Sequence, residues 1–377
     1  MKTLNHSLLY QIILLLVISI PVQSRAMDLQ IQPGVTYDWW QDNHNAHASQ
    51  LSFPLQITGT QDDLSFRLIT AYTRTALSTG SKDISLSGMV DTKIGTTYRL
   101  SNKVPFELLL GIDFNLPTGH TKLSSDETLL IMDPDLLPLN TYGEGFNVNP
   151  TVTIAKGWNN WIFSLGLGYL WRGKYDFNEF LTGYQPGMAY NAHLEVRHYF
   201  RNDSYAKVFA DYAIFSTDTS EGRNIFREGD VLQIGGLYIH SLRPGLKISA
   251  GLKGIFRGDT TVYDKTSGTQ QNLNAFNGTE TVCDLGLSYA LDKKTVLSIP
   301  IQGRLMDSNG NSAQYHVGSK KKISLGVGTT REITPMLSAD IMLKGFYKHD
   351  DATMIPEETG AREYAGFGVS ASLTGKF

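Results

Sequence analysis

Apolar and polar residues alternate with a period of two along most of this chain. In the run that ends the sequence, from Arg362 to Phe377, alanine, phenylalanine, valine and leucine hold one parity, and mostly glycine, serine and threonine hold the other. A period of two puts the two sets on opposite faces of one strand. The same alternation recurs at 161–172, 188–197, 246–257 and 337–344. The pattern predicts an all-β chain whose strands have one apolar face and one polar face.

The connections between these strands alternate in length. Short, turn-rich links are predicted at 58–63, 100–105, 157–160, 201–204, 241–245, 291–294 and 331–336. Longer polar loops are predicted at about 41–47, 75–88, 116–146, 173–187, 216–228, 258–277, 307–318 and 349–361. About sixteen strands follow, or fourteen, because the parity of 229–240 is ambiguous. Short periplasmic turns and long extracellular loops are typical of a transmembrane antiparallel up-and-down β-barrel.

Residues 1–26 have the pattern of a secretory signal peptide. Lys2 supplies the positive start, an apolar stretch covers 8–21, and Ser24-Arg25-Ala26 gives a small-residue cleavage site. The stretch of about 14 residues is shorter than the ~20 that a membrane-spanning helix requires. No later stretch of about 18 uninterrupted apolar residues occurs, so membrane residence would require strands. We expect export, cleavage and a single barrel domain over 27–377 in the bacterial outer membrane.

Composition agrees with this expectation. Removing Lys2 and Arg25 leaves 33 − 2 = 31 basic against 36 acidic side chains, which argues against a nucleic-acid partner. A hydrophobic content of 41% is low for a membrane protein, but only half of each barrel strand faces lipid. The single cysteine, Cys283, cannot form an internal disulfide and is interpreted as a small apolar side chain on an outer face.

Aromatic residues on the apolar parity gather at the strand ends. Trp39, Trp171 and Tyr347 fall at loop ends, and the turn ends carry Tyr98, Phe106, Trp161 and Tyr289. Two such girdles are typical of a barrel in contact with outer-membrane lipid and lipopolysaccharide, whereas a soluble sandwich or propeller would bury aromatics in mid-strand. The terminal Phe377 is predicted to be the assembly signal through which the C-terminal strand meets the barrel-assembly machinery.

Charged residues fall on the polar parity and are predicted to line the lumen. Both signs occur, and a charge on the lipid face would cost about 2–4 kcal/mol at mid-membrane. Two interpretations remain open: the charges pair across a wet interior, or they set the field that a permeant solute crosses. The candidates are Arg67, Asp91, Lys93, Arg99, Glu107, Asp113, His193, Glu195, Arg197, Lys207, Asp211, Lys247, Lys253, Asp284, Arg304, Asp340 and Lys344.

The longest loop, 116–146, has two unusual features. It carries an acidic set that includes Asp126, Asp133 and Asp135, which we interpret as solvated decoration, with cation or lipopolysaccharide contact as the alternative. It also carries large aliphatic residues at 129–132 and 136–139, which a freely solvated loop has no reason to contain. The loop therefore either constricts the mouth of the barrel or packs against other loops.

Catalytic motifs are missing from the sequence. His193 and His198 point to opposite faces of one strand, and no H-E-x-x-H, G-x-S-x-G or phosphate-binding G-x-x-x-x-G-K-[ST] occurs. We expect no catalysis, no metal and no cofactor. The alternatives are a surface-exposed barrel enzyme that acts on lipid and a structural barrel that holds a protein partner.

Three segments share a pattern with a known family: SGMVDTKIGTTYRL at 87–100, LGIDFNLPTGH at 110–120 and NVNPTVTIAKGW at 147–158. Asp91, the L-P-T-G at 116–119 and Asn149-Pro150 carry the match, although His120 stands where an acid is usual. Residues 86–160 thus resemble the outer-membrane proteins of the MetA-type phenol-degradation pathway. The resemblance implies porin-like transport of small solutes, including aromatic or hydrophobic compounds. A first strand at about Leu29 leaves no room for the N-terminal plug of related hydrocarbon channels.

Overall fold

The computed structural model describes residues 27–100, 105–201, 203–264, 268–354 and 359–377. The predicted signal peptide at 1–26 lies outside the described residues. So does most of the predicted turn at 100–105.

Seventeen strand segments form one antiparallel sheet in which each segment pairs with its neighbours along the chain. Two of them, Asp83–Met89 and Thr92–Leu100, both pair with Leu64–Ser78 and are the halves of one barrel strand interrupted at Val90-Asp91, so the barrel has sixteen strands. The segments are β1 (Asp28–Asp42), β2 (His47–Gln61), β3 (Leu64–Ser78), β4 (Asp83–Met89), β5 (Thr92–Leu100), β6 (Glu107–Leu116), β7 (Asn147–Trp158), β8 (Trp161–Arg172), β10 (Ala189–Tyr199), β11 (Tyr205–Phe215), β14 (Val231–Arg243), β15 (Leu246–Arg257), β18 (Glu280–Ala290), β19 (Thr295–Met306), β20 (Lys320–Thr334), β21 (Leu337–Asp350) and β22 (Arg362–Lys376).

The first and last strands close the barrel. Strand β1 pairs with β2 on one side and with β22 on the other, from Gln30↔Lys376 to Asp42↔Tyr364. Leu29 and Phe377 exchange backbone hydrogen bonds of 3.1 and 2.8 Å at the end of this seam. The predicted sixteen-stranded barrel is therefore confirmed.

Each strand separates its side chains as the alternation predicts. In β15, Leu252 is 60% exposed and lies beside Cys283 of β18, whereas Lys253 is on the opposite face beside Val282. The ambiguous segment 229–240 becomes β14, with Ile234 and Tyr238 among the exposed large apolar side chains. Its parity was hard to assign because Leu237 and Ile239, on the other face, are also apolar.

The first two long loops were predicted wrongly. Strands β1 and β2 remain paired as far as Gln41↔His47, so the connection between them is only 43–46. Strands β3 and β4 remain paired as far as Ser78↔Asp83, so the next connection is 79–82. Leu77 and Ile84 are buried in an apolar cluster at the long-loop end of these strands, which is why the strands continue there.

The connections after β8, β11 and β15 form a second sheet at the long-loop end. Its strands pair, all antiparallel, in the order Gln270–Leu273, Thr260–Tyr263, Arg223–Arg227, Asp218–Ser220 and Tyr184–Gln185. Two 3-10 helices, η1 (Glu127–Leu130) and η2 (Ala313–Tyr315), also lie in the long connections. The strands of this outer sheet are β9 (Tyr184–Gln185), β12 (Asp218–Ser220), β13 (Arg223–Arg227), β16 (Thr260–Tyr263) and β17 (Gln270–Leu273).

Two neighbouring residues of β15 test the assignment of faces. Leu252→Arg should destabilise the folded barrel in lipid vesicles by about 2–4 kcal/mol, because it puts a charge into hydrocarbon. Lys253→Arg is the matched control and should change the free energy of unfolding by less than about 0.5 kcal/mol, measured by denaturant titration. Equal effects of the two substitutions would contradict the assignment.

Candidate functional site

The connection between β6 and β7, residues 117–146, lies inside the barrel and is called here the inserted loop. It begins at the fifth barrel strand and reaches β19, the thirteenth of sixteen, so it spans the lumen from one side to the other. At its far end Arg304 Nη1 lies 2.8 Å from Asp135 Oδ1, and Lys320 Nζ lies 3.0 Å from Asp133 Oδ2. Lys320 alternates along β20 with the outward, exposed Ile323 and Leu325, so the loop contacts the inner wall.

A set of buried charges holds the far end of the inserted loop. Lys348 is completely buried, with Nζ 3.1 Å from Asp133 Oδ2 and 2.5 Å from Asp350 Oδ2. Lys322 Nζ lies 3.1 Å from Asp135 Oδ1. Because an unpaired buried charge is costly, each of these groups fixes the position of its partner. The interpretation of Asp133 and Asp135 as solvated decoration is therefore wrong: both are anchors.

The pKa of Asp133 reflects this anchoring. Burial alone would raise it, but the ammonium groups of Lys348 and Lys320 together lower the pKa of this carboxyl well below its ordinary value. The anchor is therefore charged at neutral pH.

A second group of buried charges lies on the same side of the barrel. Glu280 of β18 is buried and lies 2.6 Å from Arg304 Nε and 3.1 Å from Arg257 Nη2. Arg304 was a candidate for a lumen charge that acts on solutes. It instead bridges Glu280 of the wall and Asp135 of the inserted loop.

Apolar contacts also hold the inserted loop, on both sides of Asp133 and Asp135 along the chain. Leu130, Leu136 and Leu137 are buried in one cluster with wall residues that include Trp40 and Leu77. Burying a leucine side chain stabilises a structure by about 1.5–3 kcal/mol relative to leaving it in water. Contact with the wall formed by β1 to β4 and β22 therefore explains the aliphatic residues of this loop, and packing against other loops is not needed to explain them. The remaining wall residues of the cluster are Ala46, Ala48, Ile84, Leu86 and Tyr364.

One glutamine ties the backbone of the inserted loop to β2. Gln50 Nε2 donates to the Leu139 carbonyl at 2.7 Å, and Gln50 Oε1 accepts from the Leu139 N–H at 3.0 Å. Thr75 of β3 completes the arrangement by accepting a second bond from Gln50 at 2.9 Å. The Gln50 side chain thus bonds to the backbone N–H and C=O of Leu139 in place of the neighbouring strand that a residue in a sheet would have.

The two ends of the inserted loop meet at Asp91, in the gap between β4 and β5. Its carboxylate accepts from the Gly119 N–H at 2.8 Å and the Glu144 N–H at 2.7 Å, one from each end of the loop. Asn115 Nδ2 adds a bond of 2.6 Å. A Cβ on Gly119 would lie 1.8 Å from the Tyr142 carbonyl oxygen, so only glycine fits. Asp91 and the glycine of L-P-T-G therefore form one structural unit.

The register places the candidate lumen charges on the face opposite the exposed aliphatic residues, except for Asp91, which lies between two strands. The surroundings of these charges differ. Several have a polar partner within the lumen wall, and Arg99 pairs with Asp63 at the turn end. Among the described residues, no ion pair involves Lys93, Glu107, Lys247, Lys253 or Lys344. The polar contacts are Arg67–Asp113 at 3.9 Å, Arg99–Asp63 at 3.4 Å, His193–Asp211 at 2.5 Å, Arg197–Glu195 at 2.7 Å, Lys207–Glu195 at 3.3 Å, Gln302–Asp284 at 2.8 Å and Thr330–Asp340 at 2.5 Å.

The inserted loop leaves two cavities on the side of the lumen formed by β5 to β14, besides a third, of about 550 Å³, around Asp133 and Asp135 at its own far end. The upper one, nearer the long-loop end of the strands, has a volume of about 430 Å³ and lies against β5 to β8. Its lining includes Lys93, Arg172 and Tyr184 of the outer sheet. The lower one, of about 510 Å³, lies against β7 to β14 and includes His193 and Asp211. Asn149 lines both cavities, so they follow one side of the wall in succession.

Several functional residues were not among the sequence candidates. Lys322, Lys348, Glu280 and Arg172 all have the inward parity, so the alternation that selected Arg304 could have selected them as well. What the alternation could not show is which inward charges contact the inserted loop. That depends on the path of a segment without periodicity.

The aromatic candidates occupy the outward face. Trp39 contacts Phe367 across the β1–β22 seam with ring centroids 5.6 Å apart, and Trp161 lies 4.2 Å from His198. Tyr98, Tyr289 and Tyr347 are exposed, Phe106 immediately precedes β6, and Trp171 is the penultimate residue of β8. Phe377 is also exposed, beyond the end of β22. Their placement at the membrane boundaries stays a prediction.

A family model described as "Putative MetA-pathway of phenol degradation" matches residues 52–267. The chain belongs to this family. The match confirms the resemblance found at 86–160 and extends it in both directions, from β2 to the outer sheet. Together with the closed barrel, it identifies a protein of the bacterial outer membrane.

Several solved structures are similar to this chain at low sequence identity. They include Pseudomonas aeruginosa OpdQ (11% identity, 94% of this chain and 100% of that chain, TM-score 0.45) and OccK5 from the same organism (11%, 93% and 98%, 0.46). The P. putida toluene transporter TodX is also similar (10%, 93% and 89%, 0.42). No curated protein matches the chain with significant sequence similarity.

Two features are absent from the described residues. None of the helices in this part of the chain has the length and apolar character needed to cross a membrane. Within the same residues, no group of three or more His, Cys, Asp or Glu side chains could hold a metal ion.

The charged anchor can be tested by a spin label on the inserted loop. In a Cys283→Ser, Leu129→Cys background, Asp133→Asn should increase label mobility, because it weakens the contact with Lys348 and Lys320 by about 1–3 kcal/mol. Asp126→Asn is the matched control, because its pair with Lys82 is exposed. Electron paramagnetic resonance spectra of the two variants in detergent are compared, and identical spectra would contradict the anchoring role.

The lowered pKa of Asp133 also predicts how the inserted loop responds to acid. A carboxyl with a lowered folded pKa stabilises the structure above its ordinary pKa of 3.8, and this is lost only as pH falls through the lowered value. The label at Leu129→Cys should therefore remain immobile from about pH 7 to about pH 5. Release of the label within that range would mean that Asp133 does not hold the loop.

Proposed function

We propose that this protein is a channel that lets small solutes cross the outer membrane through the part of the lumen that the inserted loop leaves unfilled. One observation carries the proposal: the loop is fixed at its base by Asp91 and across the barrel by Arg304, and two cavities follow the wall beside it. Polar and charged side chains line both cavities, which suits hydrated solutes. The loop narrows the passage because it crosses the lumen from β6 to β19.

The family description favours aromatic compounds among the solutes, since it names phenol degradation. A polar passage with half-buried tyrosines at its outer end suits small molecules that combine a ring with a polar group. A fully hydrophobic solute would leave the charged lining without partners.

The two alternatives have less support. A scaffold barrel would need room in its lumen for another protein, but a segment of this chain occupies much of that space. An enzyme would most simply use His193 and Asp211, which lie 2.5 Å apart. Among the described residues that line their cavity, no serine or cysteine is present as a nucleophile.

Two membrane partners belong to the same proposal. The exposed Phe377 at the end of the closing strand is positioned for recognition by the barrel-assembly machinery. The exposed aliphatic belt and the outward aromatic residues suit contact with lipid and lipopolysaccharide.

Reconstitution into liposomes tests the channel. Wild-type protein should allow uptake of small neutral and charged solutes, and deletion of 124–140 should increase the rate and admit larger solutes, because it removes the segment that spans the lumen. The deletion retains Gly119 and Glu144, so the contacts with Asp91 remain.

Single-channel conductance in a planar bilayer gives the second measurement. The deletion variant should conduct more than the wild type, whereas Asp126→Asn should conduct equally. Uptake by the wild type no faster than by protein-free liposomes would refute the channel. Unchanged conductance on deletion would refute the constriction.

A further inference from the structure

Four inward side chains form a single row across neighbouring strands beside the inserted loop. Lys93 of β5 pairs with Asn115 of β6, Asn115 with Asn147 of β7, and Asn147 with Arg172 of β8. Directly paired residues point to the same face of a sheet. With strands about 4.8 Å apart, the Cα atoms of Lys93 and Arg172 are about 14 Å apart, so both side chains can reach one small molecule between them. All four line the upper cavity of about 430 Å³.

The two cations at the ends of the row have no carboxylate partner. Among the described residues, no ion pair involves Lys93 or Arg172. Arg67, the third cation of this cavity, lies 3.9 Å from Asp113. Glu144 is the remaining carboxylate of the lining, so the residues that line the cavity carry one net positive charge. An arginine whose fork is free is suited to a planar carboxylate.

Asn115 of the row and the neighbouring Asn149 each have a buried amide oxygen without a donor. Asn115 is 7% exposed, and its Nδ2 donates to Asp91 Oδ2 at 2.6 Å and to the Gly145 carbonyl at 2.7 Å. These two acceptors fix the orientation of the amide, and its buried Oδ1 has no donor. The buried Oδ1 of Asn149 also has none. A buried acceptor without a donor costs about 1–3 kcal/mol, which a hydroxyl group of a bound molecule would offset.

Two tyrosines close the cavity on its outer side. The rings of Tyr175 and Tyr184 lie edge to face with centroids 5.5 Å apart, and Tyr184 Oη donates to Asp218 at 2.5 Å. Burial raises the pKa of both phenols, and the Asp218 carboxylate raises that of Tyr184 further. The tyrosines therefore stay neutral and present apolar ring surface without repelling an anion.

From this row we propose that the upper cavity binds a single-ring aromatic carboxylate that carries a hydroxyl group. The carboxylate binds between Lys93 and Arg172, the hydroxyl donates to an asparagine Oδ1, and the ring packs against the tyrosines. The inference rests on the proposed channel and names the class of solute that its outer half selects. A neutral phenol lacks the charge that the two cations require.

Isothermal titration calorimetry on purified protein in detergent tests the site with 4-hydroxybenzoate, benzoate and phenol. We expect 4-hydroxybenzoate to bind most tightly, benzoate more weakly, and phenol more weakly still. Lys93→Gln and Arg172→Gln should each raise the Kd for 4-hydroxybenzoate by about tenfold or more, as expected for loss of a charge-assisted hydrogen bond. Arg172→Lys should recover part of the affinity, since it keeps the charge.

Lys253→Gln is the matched control, because this inward lysine has no ion pair among the described residues and does not line the cavity. It should leave the Kd unchanged. Heat-modifiable gel migration verifies that each variant is folded. Equal affinity for phenol and 4-hydroxybenzoate, or an unchanged Kd in folded Arg172→Gln, would overturn the proposal.

The same measurement separates this site from the channel. Binding in detergent does not require passage across a membrane, so intact binding without uptake would refute the channel and leave the site. Uptake without binding of 4-hydroxybenzoate would refute the site and leave the channel.

Discussion

The structure depends on backbone hydrogen bonds that have no alternative partner in a bilayer. Hydrocarbon offers nothing to an unpaired N–H or C=O, so a sheet in the membrane must close on itself. The pairing of β1 with β22 satisfies this requirement. Once the wall is closed, the register of every strand is fixed, because a shift of one position would turn a charged face toward lipid. The positions of Lys93, Arg172 and the other inward charges follow from this register.

A closed wall of sixteen strands encloses more space than its inward side chains fill, and the inserted loop occupies much of it. Its apolar residues bury against β1 to β4 and β22, and its acids pair with β19 to β21. The lumen is thereby divided into a packed region and an unfilled region. The buried ion pairs hold the loop against the wall, whereas no ion pair of Lys93 or Arg172 occurs among the described residues. The path of one loop thus determines which inward charges form ion pairs with it and which do not.

The sequence predicted the barrel, a strand number of about sixteen and the face of most strands, because a period of two is a local property. It could not predict the partners of Asp133 or Arg304, since these lie far apart along the chain and meet only through the closed wall. The same limit explains the errors at 41–47 and 75–88. Polar residues there suggested loops, but inward polar residues of a strand look the same as loop residues when the cover provided by another segment is unknown. Asp91 illustrates a middle case: its place in the pattern marked it as important, and only the structure shows what it binds.

The meeting of both loop ends at one carboxylate has a consequence for how such a protein could change its selectivity. Asp91 defines a fixed base, and the span beyond it touches the barrel through side chains and through the backbone of Leu139. Residues between the base and the far anchors can therefore be lengthened, shortened or exchanged without disturbing strand register. A barrel of constant architecture could in this way acquire passages of different width and chemistry, because the wall stays the same while the inserted loop is exchanged.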